Sequence, residues 1–364
     1  MTVTAIHQFL PSFSTRDAIG GHARQIQRVL QEQGFESEIY AQFLQPDTRA
    51  IARDAESFPT TTQPGTAIMY HLSTGSGLAR WCLERQEPLV VDYHNITPAE
   101  FFAGWEPTVA AELRRGRIDL RQLAPRVAMG FADSAFNVGE LEDLGYPKCA
   151  VVPILIDPAD FAHEVDAVAE ERIGNEKADG GADLLFVGRV SPNKCQHDLI
   201  KVLAAYRAAY DPSARLRIVG GASSHAYLTA LGQYAAELGL GDAVDIAGSV
   251  TPGELAAYYR MADAFVCVSE HEGFCVPVIE AMAHDVPVVS FEAAALPETV
   301  GDGGVLLPSK SPTVVAAAVH RVMSDQALRD RLVAAGRQRV DTFSLAAGRA
   351  HLQTAVDEFL AMMG

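Results

Sequence analysis

Long apolar runs are missing from this chain: nowhere does it approach the roughly 20 consecutive apolar residues that a helix needs to cross a bilayer. Basic runs are missing too. Against 46 Asp and Glu stand 29 Lys and Arg, a formal charge of −17, and no cationic strip is left to track the phosphates of a nucleic acid or to dock on an anionic lipid surface. Both are excluded as expected partners. One anionic small molecule is not, because two local cations reverse the field inside a cleft. Cysteine is scarce and unpaired. Cys82, Cys149, Cys195, Cys267 and Cys275 are an odd set without C-x-x-C spacing, which argues against a disulfide framework or a structural zinc site and for reduced thiols. The opening residues MTVTAIHQFLPSFSTRDAIG lack the basic start, apolar run and cleavage site of a signal peptide, so the expected location is the cytoplasm.

What is present is enough apolar residue, 48% of 364, for two cores, and the length exceeds what one core usually supports. Short apolar runs alternate with stretches of helical period, the pattern of repeated βα units and parallel sheets. Strands are predicted near Val3 to Phe9, Ser37 to Ala41, Thr66 to Tyr70, Leu89 to Tyr93 and Cys149 to Val152. Between the first two, Ala23, Ile26, Val29 and Leu30 form one helical stripe that Gly34 stops. From Pro153 to Gly181 the pattern weakens: Asp157-Pro158 signals a turn, Glu164 to Lys177 is charged, and Asp179-Gly180-Gly181 breaks any helix. The domain boundary is placed there, giving domains 1–156 and 157–344. A second set of strands follows near Leu184 to Val187, Leu216 to Val219, Ala243 to Ala247, Ala264 to Val268 and Val286 to Ser290. The last helix, residues 345–364, has no strand after it and is expected to pack back on the first domain. The predicted fold class is α/β, two Rossmann-like doubly wound parallel sheets.

Ligands of such sheets bind beyond the carboxyl ends of the strands, so polar residues just after strands carry the functional signal. In LLFVGRVSPNKCQHDLI, Arg189 follows a buried strand and Lys194 precedes the next helix; two cations and a helix start converge there as a diphosphate requires. Two solvated surface cations are the plainer reading of the same residues. In AFVCVSEHEGFCVPVIEAMAHDVPVV, Glu272 and Glu280 lie eight residues apart, Glu280 being placed in the first turn of a helix begun by Pro277. A carboxylate accepts from two vicinal hydroxyls, as a sugar or ribose presents them, and the amides of Gly273, Phe274 and Cys275 can cradle an anion or a hydroxyl. Glu280 is equally accounted for as an acid favoured by a helix dipole.

These residues carry a resemblance. EGFCVPVIEAMAHDVPVV resembles the E-x7-E segment of the retaining glycosyltransferases of family 4, and GRVSPNK their G-R-x4-K loop. LRIVGGA, VDIAGSVTPGELAAYYRMADAFVCVSE and ALPETVGDGGVLL follow in that family's order, while AIGGHARQIQRVL, DYHNITP and FADSAFNVGELEDLGY are similar more loosely. The resemblance implies a GT-B fold, two domains facing a cleft, and transfer of a sugar from a nucleotide-diphosphate donor, a UDP-sugar first and a GDP-sugar next, to a soluble hydroxyl acceptor with retention of configuration. By matching positions, Arg189 and Lys194 with Gly188 hold the diphosphate, Glu280 the ribose, and Glu272 with Gly273, Phe274, Cys275 and Val276 the transferred sugar. Val250 meets the base. Gly20 and Gly21 approach the phosphates, and His94 stands beside the donor sugar; a histidine closing a strand is its alternative reading.

No cofactor and no metal are expected, since neither the histidines nor the acids show ligand spacing and protein cations take the place of a divalent ion. Two departures stand out: Cys275 replaces the glycine of E-G-F-G, and Asp285 replaces a glycine further on, where Asp tolerates left-handed backbone. At Cys275 a helix N-terminus would favour a reactive thiolate, against the alternative of an inward-turned apolar thiol. A nucleotide-sugar hydrolase or epimerase, and a non-catalytic two-domain sugar-binding protein, are the rival functions. Acceptor residues are expected in 73–76 and 95–102, and the oligomeric state is not legible.

Overall fold

The computed structural model describes residues 2–14, 17–45, 48–161, 163–177 and 181–364; Asp179 and Gly180, where a helix break was expected, lie outside them. The chain divides into two compact units, one of Met1–Ile156 with Phe343–Gly364, the other Asp157–Thr342.

The first unit is built on a seven-stranded sheet of β1 (Ala5–Phe13), β2 (Ile39–Leu44), β3 (Arg53–Asp54), β4 (Thr66–Leu72), β5 (Leu89–Tyr93), β6 (Met129–Ala132) and β7 (Cys149–Val151), in the order β3-β2-β1-β4-β5-β6-β7. All pairings are parallel. Parallel strands joined by helical crossovers are covered on both faces, and the strand period of two divides their side chains between two cores. Along β5, Leu89, Val91 and Tyr93 enter one apolar cluster and Val90 the other; along β4, Ile68, Tyr70 and Leu72 separate from Ala67 and Met69 in the same way.

The helix Ala18–Glu32 starts where the Asp17 carboxylate accepts from the Gly20 N–H at 2.7 Å, and Gly34 beyond its end takes a φ of 89°. Its buried Ile26, Val29 and Leu30 share a cluster with Leu352, Val356 and Phe359 of the last helix, Leu345–Met363. Each of those three side chains stabilises the unit by about 1.5–3 kcal/mol relative to exposure, so the last helix belongs to this core.

The second unit holds a six-stranded sheet of β8 (Asp183–Val187), β9 (Arg215–Val219), β10 (Val244–Gly248), β11 (Ala264–Cys267), β12 (Val288–Phe291) and β13 (Gly304–Leu307), ordered β10-β9-β8-β11-β12-β13 and again all parallel. The charged segment within 164–177, where the sequence pattern weakens, forms a helix, Ala167–Glu176, capped by Asp166. It packs on the helix Pro252–Met261 through Arg172, which donates to the Tyr258 hydroxyl at 2.9 Å, and through an Arg260–Glu170 pair at 3.0 Å. The helix Gln196–Ala209 buries Leu199, Leu203 and Tyr206 as its spacing predicts. Tyr210, four residues beyond Tyr206 and so expected on the same face, is exposed and stacks on His320 at 4.1 Å. No described helix is long and apolar enough to cross a membrane.

Candidate active site

In each sheet the strand order reverses once, between β1 and β4 in the first unit and between β8 and β11 in the second. The crevice beyond the carboxyl ends of such a strand pair is where open α/β sheets take ligands. At the second reversal the loops after β8 and β11 are zipped together. The Glu270 N–H donates to the Asn193 carbonyl at 3.0 Å, the Asn193 side-chain amide donates to the His271 carbonyl at 3.1 Å, and the Lys194 ammonium is bonded to a Glu272 carboxylate oxygen. A short 3-10 turn, Pro192–Lys194, followed by Cys195 at a φ of 55°, delivers Lys194 to this position. Burial lowers the Lys194 pKa, but the Glu272 carboxylate outweighs it and holds the ammonium above its ordinary value.

Arg189, one residue past the strand-end Gly188, is exposed, and among the described residues its guanidinium makes no ion pair or hydrogen bond. A third loop braces the pair: Lys310, after β13, donates to Asp198 at 2.6 Å and also bonds Glu270. Backbone approach here is tight. A side chain at Gly220 would place its Cβ 2.2 Å from the Gly188 carbonyl oxygen, and Gly188 itself has a φ of 150°.

Glu272, Gly273, Phe274, Cys275 and Val276 run along this crevice into the helix Val276–Ala283. The loop is held from behind, where the Ala295 N–H donates to the Glu272 carbonyl at 3.3 Å and the Thr299 hydroxyl to the Phe274 carbonyl. Cys275 has a φ of 79° and Asp285 one of 59°. At both positions the chain adopts the left-handed backbone that glycine accepts without cost and that costs other residues about 1–2 kcal/mol. Asp285 gains back part of this from Arg337, which grips both of its carboxylate oxygens at 2.7 and 2.6 Å.

Of the two readings of Cys275, its surroundings favour the neutral thiol. A hydrogen bond with Cys267, burial and the Glu272 carboxylate together push its pKa well up, against the pull of Lys194 and the helix start. Glu280 also differs from expectation. The helix begins at Val276, so no acid lies in its first turn, and Glu280 accepts instead from the Tyr259 hydroxyl at 2.7 Å while burial raises its carboxyl above the usual range. Val250, half-buried, follows β10 and immediately precedes the capping box of Thr251 and Glu254.

The first unit's strand reversal is different in kind. Strand register sets His71 beside Asp92, Leu72 beside Tyr93 and Tyr93 beside Ala132, so His94 and Asp133 follow neighbouring strands at the same level. His94 is 1% exposed in its side chain; its Nδ1 lies 2.9 Å from Asp133 and its Nε2 2.8 Å from His71 Nδ1. His71 donates from Nε2 to the Gln8 carbonyl oxygen at 2.9 Å, since the Gln8 amide nitrogen is spent on the Ala23 carbonyl. His22 takes the Leu155 N–H on Nδ1 at 2.8 Å and faces Asp92 with Nε2 at 3.1 Å.

Burial lowers the His94 pKa, yet Asp133 and Asp92 overcome it and lift the imidazole to about 9; burial dominates at His71 and drops it to about 4. The network is therefore a His94 imidazolium held by two carboxylates and a neutral His71. Both ring nitrogens of His94 are taken by His71 and Asp133, and it is the His94 backbone N–H, at 3.0 Å, that bonds the neighbouring Leu72 carbonyl.

Beside it, Gly20 and Gly21 open the helix Ala18–Glu32. A Cβ at Gly20 would sit 1.7 Å from the Ser14 carbonyl oxygen, so the chain's own loop requires that glycine, whereas a Cβ at Gly21 would meet nothing within 4 Å.

Ligand spacing absent from the sequence does arise in the fold. His22, Asp92, His94 and Asp133 form one group of potential metal-ligand atoms within 4.8 Å of one another, Cys195, His197 and Asp198 a second, and Cys267, Glu272 and Cys275 a third. Sequence reading missed His22, His71, Asp92 and Asp133 because their association is tertiary. The available signal was Asp92, a carboxylate inside an otherwise apolar strand.

The family described as Glycosyl transferases group 1 matches residues 168–339. Residues 168–339 are thus similar to a group 1 glycosyltransferase domain. Among curated proteins, the D-inositol 3-phosphate glycosyltransferase of Nocardiopsis dassonvillei is 32% identical over 75% of this chain and 65% of its own length; that of Geodermatophilus obscurus is 35% identical over 61% of this chain and 50% of its own. The chain thus spans from half to just under two thirds of these relatives. Sucrose-phosphate synthase from Thermosynechococcus elongatus superposes with a TM-score of 0.74 at 20% identity, covering 98% of this chain and 99% of that one. With the group 1 match falling in its second unit, the chain has the GT-B fold of two all-parallel α/β units.

Proposed function

We propose that this protein is a retaining glycosyltransferase of family 4 that moves a hexosyl group from a nucleotide-diphosphate sugar to a hydroxyl acceptor without a metal ion. The observation that carries the reading is the Lys194–Glu272 pair with exposed Arg189 at the strand reversal of the second unit. A leaving nucleoside diphosphate develops negative charge while the sugar gains oxocarbenium character, as in glycoside hydrolysis. Cations fixed at the leaving phosphate are the largest available source of catalysis, and Arg189 and Lys194 supply two, with Gly188 allowing the backbone close.

The Lys194–Glu272 bond gives this site a sequence of events. Diphosphate oxygens compete for Lys194, and the freed Glu272 then accepts from sugar hydroxyls beside the amides of residues 273–276. In the transfer step the bond between the anomeric carbon and the phosphate oxygen breaks and the acceptor oxygen attacks from the same face. The acceptor proton leaves with the phosphate. Glu280 is assigned to the ribose, Val250 to the base, and Gly21, whose missing Cβ leaves open space, to the approach of the phosphates. His94 is assigned a part beside the donor sugar through its fixed charge, since neither ring nitrogen is free.

UDP-sugars are the first donors to test, because a GT-B structure of similar fold, Anabaena HepE, was solved with UDP-glucose; its TM-score is 0.70 at 17% identity, over 97% of this chain and 99% of that one. Turnover should fall roughly a hundredfold or more in Arg189→Ala, the scale of losing a transition-state charge partner, and should persist in excess chelator. Normal turnover in folded Arg189→Ala would remove the diphosphate assignment. Sugar released without an acceptor at the same rate as with one would make the enzyme a hydrolase.

A further inference from the structure

Two cysteines meet at the end of β11 and the start of the helix Val276–Ala283, although Cys267 and Cys275 are eight positions apart in the sequence. Their sulfurs and a Glu272 carboxylate oxygen all lie within 4.8 Å of one another. Cys267 is fully buried, Cys275 half-buried and Glu272 buried, and Cys267 donates a further contact to Ser269 Oγ at 3.4 Å.

We propose that Cys267, Cys275 and Glu272 form a binding site for one soft or borderline divalent cation of the zinc type. Zinc–thiolate bonds of about 2.3 Å arranged tetrahedrally put two sulfurs roughly 3.8 Å apart, and carboxylate oxygens bind at about 2.0–2.2 Å. A closure of about 1 Å or less therefore brings this donor set to coordination geometry, with the fourth position left to water. The charges also close: two thiolates and one carboxylate exceed a divalent ion by one negative charge, and the Lys194 ammonium beside Glu272 supplies the positive one. Two thiol protons leave on binding, so affinity rises with pH. The half-buried Cys275 gives the entry side, and it is the residue by which this loop departs from a glycine.

Occupancy commits one Glu272 oxygen to the metal while the other stays with Lys194, so the carboxylate is no longer open to sugar hydroxyls. If the donor-site reading holds, the ion then inhibits transfer, a consequence that rests on that reading while the binding itself does not.

Cobalt(II), which takes tetrahedral zinc sites and absorbs through its thiolate bonds, is the probe. Titrated into the reduced full chain, it should give a thiolate-to-cobalt band saturating at one equivalent. The band should be lost in Cys275→Gly and in Cys267→Ser, and kept in Cys195→Ser. In Glu272→Gln, binding should weaken by at least the roughly 10- to 100-fold that even outer partners of a metal site command. Cys275→Gly suits the left-handed backbone at that position, so it keeps the test alive if Cys267→Ser does not fold. No band in the reduced protein, a band that survives Cys275→Gly, or one lost in Cys195→Ser overturns the site. A second titration separates the two claims: UDP that binds equally with and without cobalt removes the inhibitory consequence, and UDP that binds under neither condition counts against the donor-site reading alone.

Discussion

The two strand reversals solve the same problem of polar groups at a sheet edge in opposite ways. In the first unit His22, His71, Asp92, His94 and Asp133 turn their charge inward and bond to one another, with Asp92 Oδ1 alone of their carboxylate and ring atoms buried without a hydrogen bond, and no side chain of the set is left exposed. In the second unit Lys194 remains partly exposed against a buried Glu272, and Arg189 is exposed with no ion pair or hydrogen bond to its guanidinium among the described residues. Charge that is buried and paired in the resting protein is suited to holding shape. Charge that is half-satisfied is suited to receiving an anion, because a ligand then replaces one partner rather than stripping a full hydration shell.

Removing a partner should separate these roles by stability. Asp133→Ala leaves the His94 imidazolium buried without its nearest carboxylate, a change worth about 3–5 kcal/mol when a buried pair is broken. The expected value is toward the lower end because His94 can shed its proton. Urea unfolding monitored by circular dichroism measures it, and a loss under 1 kcal/mol would mean the network is not held by that pair. Lys194→Ala should cost somewhat less, since a fifth of the lysine side chain already meets water, while Arg189→Ala, at an exposed position, should stay within about 0.5 kcal/mol. Equal losses in the two cation variants would erase the distinction between a braced and an open cation.

The first unit's network also predicts a dome-shaped pH profile. His94 is lifted to about 9 from its ordinary 6.5, so its stabilising contribution is complete below about pH 6.5 and is lost as pH rises through 9. His71 is dropped to about 4, so protons bind the unfolded chain preferentially between about pH 4 and 6.5 and stability falls on acidification through that window. Melting temperatures from pH 5 to 9.5 should peak near 6.5, and Asp133→Asn should flatten the alkaline limb. The smallest effect is expected at Gly21. With open space around it and a place in the first turn of a helix, Gly21→Ala should leave stability unchanged or raise it by up to about 1 kcal/mol, and yet weaken donor binding if phosphates approach there. A variant both stable and fully active would reduce Gly21 to an accident of composition.

How far the sequence could be read follows the same division. Strand β5 was bounded correctly because five buried residues stand between clear turns, whereas β6, β13 and the two-residue β3 are too short for a period to show. The loops carrying Lys194 and Glu272 were legible as strand-end polar residues, and their contact through Asn193 was not, being set by which strands pair. The tolerance of Asp285 for left-handed backbone followed from its side chain. The fate of Cys275 depended on Cys267, a neighbour that no local pattern reveals. The helix Ala167–Glu176 was lost among its own charges, since only Ala169 and Ile173 face inward.

Calorimetric titration of UDP into the wild-type protein and into Arg189→Ala, each in excess chelator, tests most directly the claim that the open cation of the second unit receives the donor's diphosphate. A charge-assisted contact of about 1.5–3 kcal/mol corresponds to a dissociation constant raised roughly 10- to 150-fold in the variant, with unchanged thermal stability. The same affinity in both proteins would place the diphosphate elsewhere and contradict the assignment.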